Sequence, residues 1–111
     1  MRANHPDCGR LPIQVALAQR ALHIQAYGPN LKGCCLDVSE RIVQALAAEG
    51  MTAAIQFGLF NGQRHAWVDV WTEGRVWVLD ATADQFGEQW SPVIFGRMPD
   101  LPEYGRDPEL G

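Results

Sequence analysis

The stretch Gly33-Cys34-Cys35-Leu36-Asp37-Val38-Ser39 decides how the chain is read, because a turn-rich segment becomes a helix there, at a thiol. Leu36, Val38, Ser39, Ile42, Val43, Leu46 and Ala47 recur at three-and-four spacing, and Gly50 follows as a natural helix terminator. The spacing predicts a helix from Cys35 to Glu49, with Cys35, Ser39, Ile42 and Leu46 on its buried stripe. A cysteine in the first turn of such a helix faces unsatisfied backbone N–H groups and the positive end of the helix dipole. Both stabilise a thiolate and lower its pKa from the free value of about 8.5.

Upstream, Met1 to Leu11 contains Pro6 and Gly9 and reads as an irregular lead-in. Pro12 suits a first helical turn, and Ile13, Leu17 and Ile24, with Ala16, Ala18 and Ala21 around them, predict an amphipathic helix over residues 12–24. Tyr27-Gly28-Pro29-Asn30 is a turn cluster.

Downstream the period changes to two. In Thr52 to Phe60, Ile55, Phe57 and Leu59 alternate with Ala54, Gln56 and Gly58, and Asn61-Gly62 is a strong hairpin signal. A second strand spans His65 to Thr72, Glu73-Gly74 turns the chain, and a third strand runs from Arg75 to about Asp80. Ala81 to Gly87 should leave the sheet. Beyond Ser91, Pro92, Pro99, Pro102 and Pro108 forbid a long helix, so the tail reads as extended and wrapped on the surface, with Val93-Ile94-Phe95 as a short edge strand.

Composition bounds the partners. With 111 residues, 47% hydrophobic and 20% charged, the chain reads as one globular domain over residues 1–111. The net charge of -4 and a single lysine, Lys32, offer no basic patch, which argues against nucleic acid and anionic membranes as partners. No apolar run is long enough to span a membrane, and the polar start Met1 to Asp7 lacks the apolar core of a signal peptide. Three cysteines, two of them adjacent, make a poor disulfide framework and suit reduced thiols. The expectation is a cytoplasmic protein; the alternative is the effector domain of a larger exported protein. Oligomeric state is not legible.

The hairpin carries a geometric consequence. With Glu73 and Gly74 as its two-residue loop, Trp67 lies opposite Asp80 and His65 opposite Thr82. His65 and Asp80 then project from one face as diagonal neighbours, with Cα atoms roughly 7 to 8 Å apart, near enough for a carboxylate to orient an imidazole. A helix-start cysteine facing a His oriented by an Asp is what thiol nucleophilic catalysis requires. Each residue has a plainer reading: a core cysteine, a satisfied strand histidine, a turn aspartate. Their order and placement together favour the chemical one.

Gly33-Cys34-Cys35, His65-Ala66-Trp67-Val68-Asp69-Val70 and Trp77-Val78-Leu79-Asp80-Ala81-Thr82 resemble the transglutaminase-like branch of the papain-like cysteine enzymes. There a G-x-C motif opens the central helix, H-A-W-x-E/D-V begins a strand and W-x-x-D-x-T supplies the acid. Ala83-Asp84-Gln85-Phe86 also resembles the ending found in small bacterial members, so the likeness covers about residues 33–86. It implies an α+β fold of papain-like, transglutaminase-like type, with a central helix packed on an antiparallel sheet. It makes Cys35 the nucleophile, His65 the base and Asp80 the orienting acid. Cys34 becomes either a neighbour lending its amide to the oxyanion site or a packing residue. Asn30, or less aptly Gln25, stands near where papain-type members carry an oxyanion glutamine. Trp67 packs beside the triad or is a core aromatic; Gln85 bonds behind the site or turns the chain.

The implied reaction is acyl transfer from an amide of a peptide or protein through a thioester, with no cofactor. With water as acceptor the enzyme is a peptidase or glutamine deamidase; with an amine it is a transglutaminase or acyltransferase. The small size leans towards hydrolysis. A binding module that keeps the fold without turnover is the alternative of another class. Metal binding is disfavoured, because His5, Cys8, His23, Cys34 and Cys35 lack the paired spacing of a zinc site, and Ser39 lies one turn too deep to be a nucleophile.

Overall fold

The computed structural model describes residues 7–105. The start of the lead-in, with His5, and the end of the tail, with Pro108, lie outside the described residues. The elements are α1 (Arg10–Tyr27), α2 (Cys35–Ala48), β1 (Thr52–Phe60), β2 (Gln63–Thr72), β3 (Arg75–Asp80), β4 (Ile94–Gly96) and β5 (Tyr104–Gly105), with 3-10 turns at Asp7–Gly9, Ala83–Phe86 and Met98–Asp100. Two helices pack on a curled antiparallel five-stranded sheet of order β4-β3-β2-β1-β5, an α+β architecture. Among the described residues no helix is long and apolar enough to cross a membrane.

The central meander follows from its turns. Asn61 and Gly62 (φ 49° and 79°) and Glu73 and Gly74 (φ 56° and 70°) are two-residue loops with both positions left-handed, the geometry whose twist matches paired strands. The second loop sets Val68 opposite Leu79 and Thr72 opposite Arg75, the register expected from the sequence.

One sheet face is covered by the helices. Val38, Ile42 and Leu46 of α2 pack with Val68, Val70 and Leu79, joined by Ala16 of α1. α1 is longer than 12–24: it starts at Arg10 and continues to Tyr27, where Gly28 (φ 93°) ends it by donating its N–H to the Ile24 carbonyl at 2.7 Å. Leu17 does not pack inward; it is 46% exposed, while Pro12, Ala16 and His23 are buried. Small side chains let α1 approach closely, and Arg20 shares their stripe.

The tail corrects the surface reading. It supplies both sheet edges, β4 beside β3 and β5 beside β1, and so crosses the face opposite the helices. There Phe60, Trp67, Val78, Ala83 and Tyr104 form a second core, with Phe86, Trp90, Met98 and Leu101 packed against it. The prolines exclude a long helix and leave short extended pieces that close this face. The edge strand is Ile94–Gly96, one residue later than expected.

Candidate active site

Cys35 is the first residue of α2. Gly33, at φ 78°, makes the turn into the helix in a region that L side chains rarely adopt. No side chain caps α2, and the first amide bonded within it is Val38 N–H, to the Cys34 carbonyl at 3.1 Å. The amides of the first turn therefore point out of the helix end. Cys35 itself is half-buried and sits less deep than the stripe predicted, which is Val38, Ser39, Ile42 and Leu46 in the structure. Ser39 is buried at 4% exposure, away from solvent.

His65 lies in β2, also buried, with the edges of its ring packed by Phe60 and Phe86 (centroids 5.8 and 5.0 Å) and with Trp67 at 6.2 Å. Its Nε2–H donates to Asp80 Oδ2 at 2.7 Å. The diagonal pairing expected of the hairpin is thus present. Nδ1 has no hydrogen-bond partner, and the Cys35 thiol lies in the same cleft wall, near enough for the two groups to shift each other's pKa.

The electrostatics of the two groups move in opposite directions. His65 hydrogen bonding holds the Cys35 thiol below its ordinary pKa, against an upward push from burial, and the Ala66 backbone adds a lowering hydrogen bond. Burial alone would lower His65, but hydrogen bonds to Asp80 and Cys35, with their charges, overcome it and raise it to about 9. These opposed shifts favour a thiolate–imidazolium pair.

Asp80 is 1% exposed and surrounded by donors. Oδ2 accepts from His65 and from the Tyr104 hydroxyl at 2.6 Å; Oδ1 accepts from the Thr82 backbone N–H at 2.9 Å and its hydroxyl at 3.3 Å. Burial and the Asp80 charge push the Tyr104 phenol far above its ordinary pKa, so it remains a donor.

The other candidates take supporting places. Gln85 bridges the two halves of the site: its Oε1 accepts from Gly33 N–H at 3.1 Å and its Nε2 donates to the Thr82 carbonyl at 3.0 Å. The Cys34 amide is bonded to the Leu31 carbonyl at 3.0 Å and its thiol makes long contacts to the Asn30 and Lys32 carbonyls, so this residue builds the loop. Asn30 is exposed, and its side-chain oxygen accepts from Lys32 N–H at 3.1 Å. Gln25 is exposed on α1. Trp67 is buried against His65 and stacks edge-on to Tyr104 at 4.9 Å. The first-turn amides of α2 and the Ala66 N–H are left as the donors nearest the sulfur.

Sequence reasoning missed three contributors. Tyr104 comes from a tail read as surface, with no local signal beyond an aromatic in a proline-rich segment. Thr82 closes an Asp-x-Thr turn whose amide bonds back to the carboxylate, a pattern short enough to be read. Arg20 reaches from α1 to Asp84 with a two-pronged contact, 2.8 and 2.6 Å, and to the Ala81 carbonyl at 2.7 Å, fixing the segment after Asp80.

Among the described residues no group of three or more His, Cys, Asp or Glu side chains is placed to hold a metal, and Cys34 and Cys35 form no disulfide. No family model, curated protein or solved structure matches the chain.

Proposed function

We propose that the protein is a thiol-dependent acyl-transfer enzyme of transglutaminase-like, papain-like type, acting on an amide of a peptide or protein. The observation that carries this reading is the meeting of three side chains: Asp80 holds His65 by Nε2, and the helix-start thiol of Cys35 shares a cleft with the imidazole, its pKa lowered while that of the imidazole is raised.

The steps follow from those positions. The Cys35 thiolate attacks the amide carbonyl carbon, forming a C–S bond, while the α2 first-turn amides face the developing oxyanion. His65 gives its proton to the leaving nitrogen and the C–N bond breaks, leaving a thioester. Water then loses a proton to His65 and attacks; the C–S bond breaks, the acid leaves and the thiol is restored. An amine in place of water gives transamidation by the same steps, and the small domain favours hydrolysis.

Alkylation by iodoacetamide tests the reading. Labelling of Cys35 should be fast well below pH 8.5, be lost in Cys35→Ala, persist in Cys34→Ala and shift to higher pH in His65→Ala, where the main cause of the lowered pKa is gone. Equal, ordinary reactivity at both neighbouring cysteines would overturn it and leave the binding module.

A further inference from the structure

α1 turns unusual residues outward for a helix on the surface of a domain. Its buried positions are Pro12, Ala16 and His23, while Leu11, Leu17 and Leu22 are 38%, 46% and 51% exposed. Between Leu11 and Tyr27 the only Lys, Arg, Asp or Glu is Arg20, and it is bonded inward to Asp84. For roughly four turns the outer face is therefore leucine, alanine and glutamine without a charge. α2 differs, since its exposed side chains include Asp37, Glu40 and Arg41. A helix that is apolar all round belongs in an interior, so the outer face of α1 calls for a cover.

The possible covers differ in the chemistry they require. A membrane surface calls for lysine and arginine flanking the apolar face, and with a net charge of -4 and a single lysine the chain does not provide them. The ends of the chain outside the described residues, 1–6 and 106–111, contain two large apolar side chains, Met1 and Leu110, against three leucines. A second copy fits on two counts. An uncharged patch meets itself without bringing like charges together, which a two-fold interface demands. The ends of α1 are also mismatched to its own dipole, because Arg10 stands at the positive start and the last turn contains no basic residue. In an antiparallel pair each Arg10 lies beside the negative end of the other helix.

We propose that α1 is the interface of a two-fold dimer, packed antiparallel against α1 of a second copy and crossing it at Ala18. Ala18 stands at the centre of the uncharged face, with Leu11, Gln14, Ala21, Leu22 and Gln25 around it at helical spacings of three, four and seven. Alanine at the crossing lets the axes approach closely, and the leucines of each copy pack beside the other's helix. The face offers roughly 500 Å² per copy, so the pair buries roughly 1,000 Å², the lower limit for a specific interface, and the dimer is an equilibrium one rather than obligate. No α1 residue lines the cleft that holds Cys35 and His65, so the proposal is independent of the thiol reading.

Sedimentation velocity over a series from about 1 to 200 µM, with a phosphine reductant to exclude disulfide-linked pairs, reads the association. The wild-type chain should dimerise with a dissociation constant on the order of 10 µM. Ala18→Glu and Ala18→Lys put good helix formers at an exposed helical position, so they keep the fold while setting like charges across the crossing. Each alone should weaken the dimer at least about tenfold, and an equimolar mixture of the two should recover it as a heterodimer.

Recovery on mixing would set position 18 of one copy against position 18 of the other, which a dimer through any other surface would not produce. A chain that stays monomeric to about 200 µM would overturn the proposal. So would a dimer unmoved by both substitutions, or weakening without recovery in the mixture. The wild-type series needs no variant to fold.

Discussion

The Tyr104 hydroxyl donates to Asp80 Oδ2 at 2.6 Å, on the same oxygen that accepts from His65 Nε2 at 2.7 Å. The phenol draws charge from the oxygen that supports the imidazolium, and it ties the carboxylate to a strand at the opposite edge of β1. Removing it in Tyr104→Phe should destabilise the fold by roughly 1.5–3 kcal/mol, the range for a buried hydrogen bond to a charged group. It should also move the His65 titration upwards from about 9, because Oδ2 then serves His65 alone. Chemical denaturation and a histidine NMR titration read the two effects; a loss of stability with an unmoved titration would make Tyr104 purely structural.

Stability should depend on pH through His65. Its pKa is raised from 6.5 to about 9, so its contribution is whole below about 6.5 and is lost as pH rises through about 9. The lowered Cys35 thiol contributes with the opposite sign over the same range, so the His65 share is read in Cys35→Ala: urea denaturation at pH 6, 7.5 and 9.5 should show falling stability there, and adding His65→Gln should flatten the fall. A Cys35→Ala profile that rises from pH 7 to 9.5 would contradict the raised pKa.

Arg20 and Asp84 join α1 to the turn behind Asp80, with side chains 15% and 22% exposed. Arg20→Ala should cost about 2–3 kcal/mol, since it leaves a partly buried carboxylate and the Ala81 carbonyl without their charged donor. Its effect on Cys35 labelling should exceed that of an equally destabilising change in α1 away from Asp84. Thermal melts paired with alkylation rates provide the comparison.

Glu73 has φ 56°, a left-handed conformation that costs a side chain other than Gly, Asn or Asp about 1–2 kcal/mol. Glu73→Asn should stabilise the protein by about 0.5–1 kcal/mol without moving the β2–β3 register. A lowered melting temperature would mean that Glu73 holds a contact worth more than the strain.

The meander and the line from His65 to Asp80 were legible because they are local: alternation set the strand faces, and a two-residue loop fixed the register, which left one diagonal partner for the imidazole. α2 was legible by its period. What the sequence hid was long-range. Leu17 fits a helical period as well as Ala16 does, and only the close approach of α1 to the sheet selects the smaller residue. Tyr104 lies 24 residues beyond Asp80, in a segment whose prolines announce extended chain but not where it crosses. Arg20 and Asp84, 64 residues apart, carry no pattern linking them.

The two edge strands contributed by the tail set an order of assembly. A nascent chain that has emerged as far as Asp80 already contains the thiol, the imidazole and the carboxylate, but lacks both β4 and the phenol that closes the last acceptor on the acid. The site is thus complete only when translation has passed Tyr104 and the tail has threaded across the sheet. Until then the buried Asp80 carboxylate lacks one of its donors.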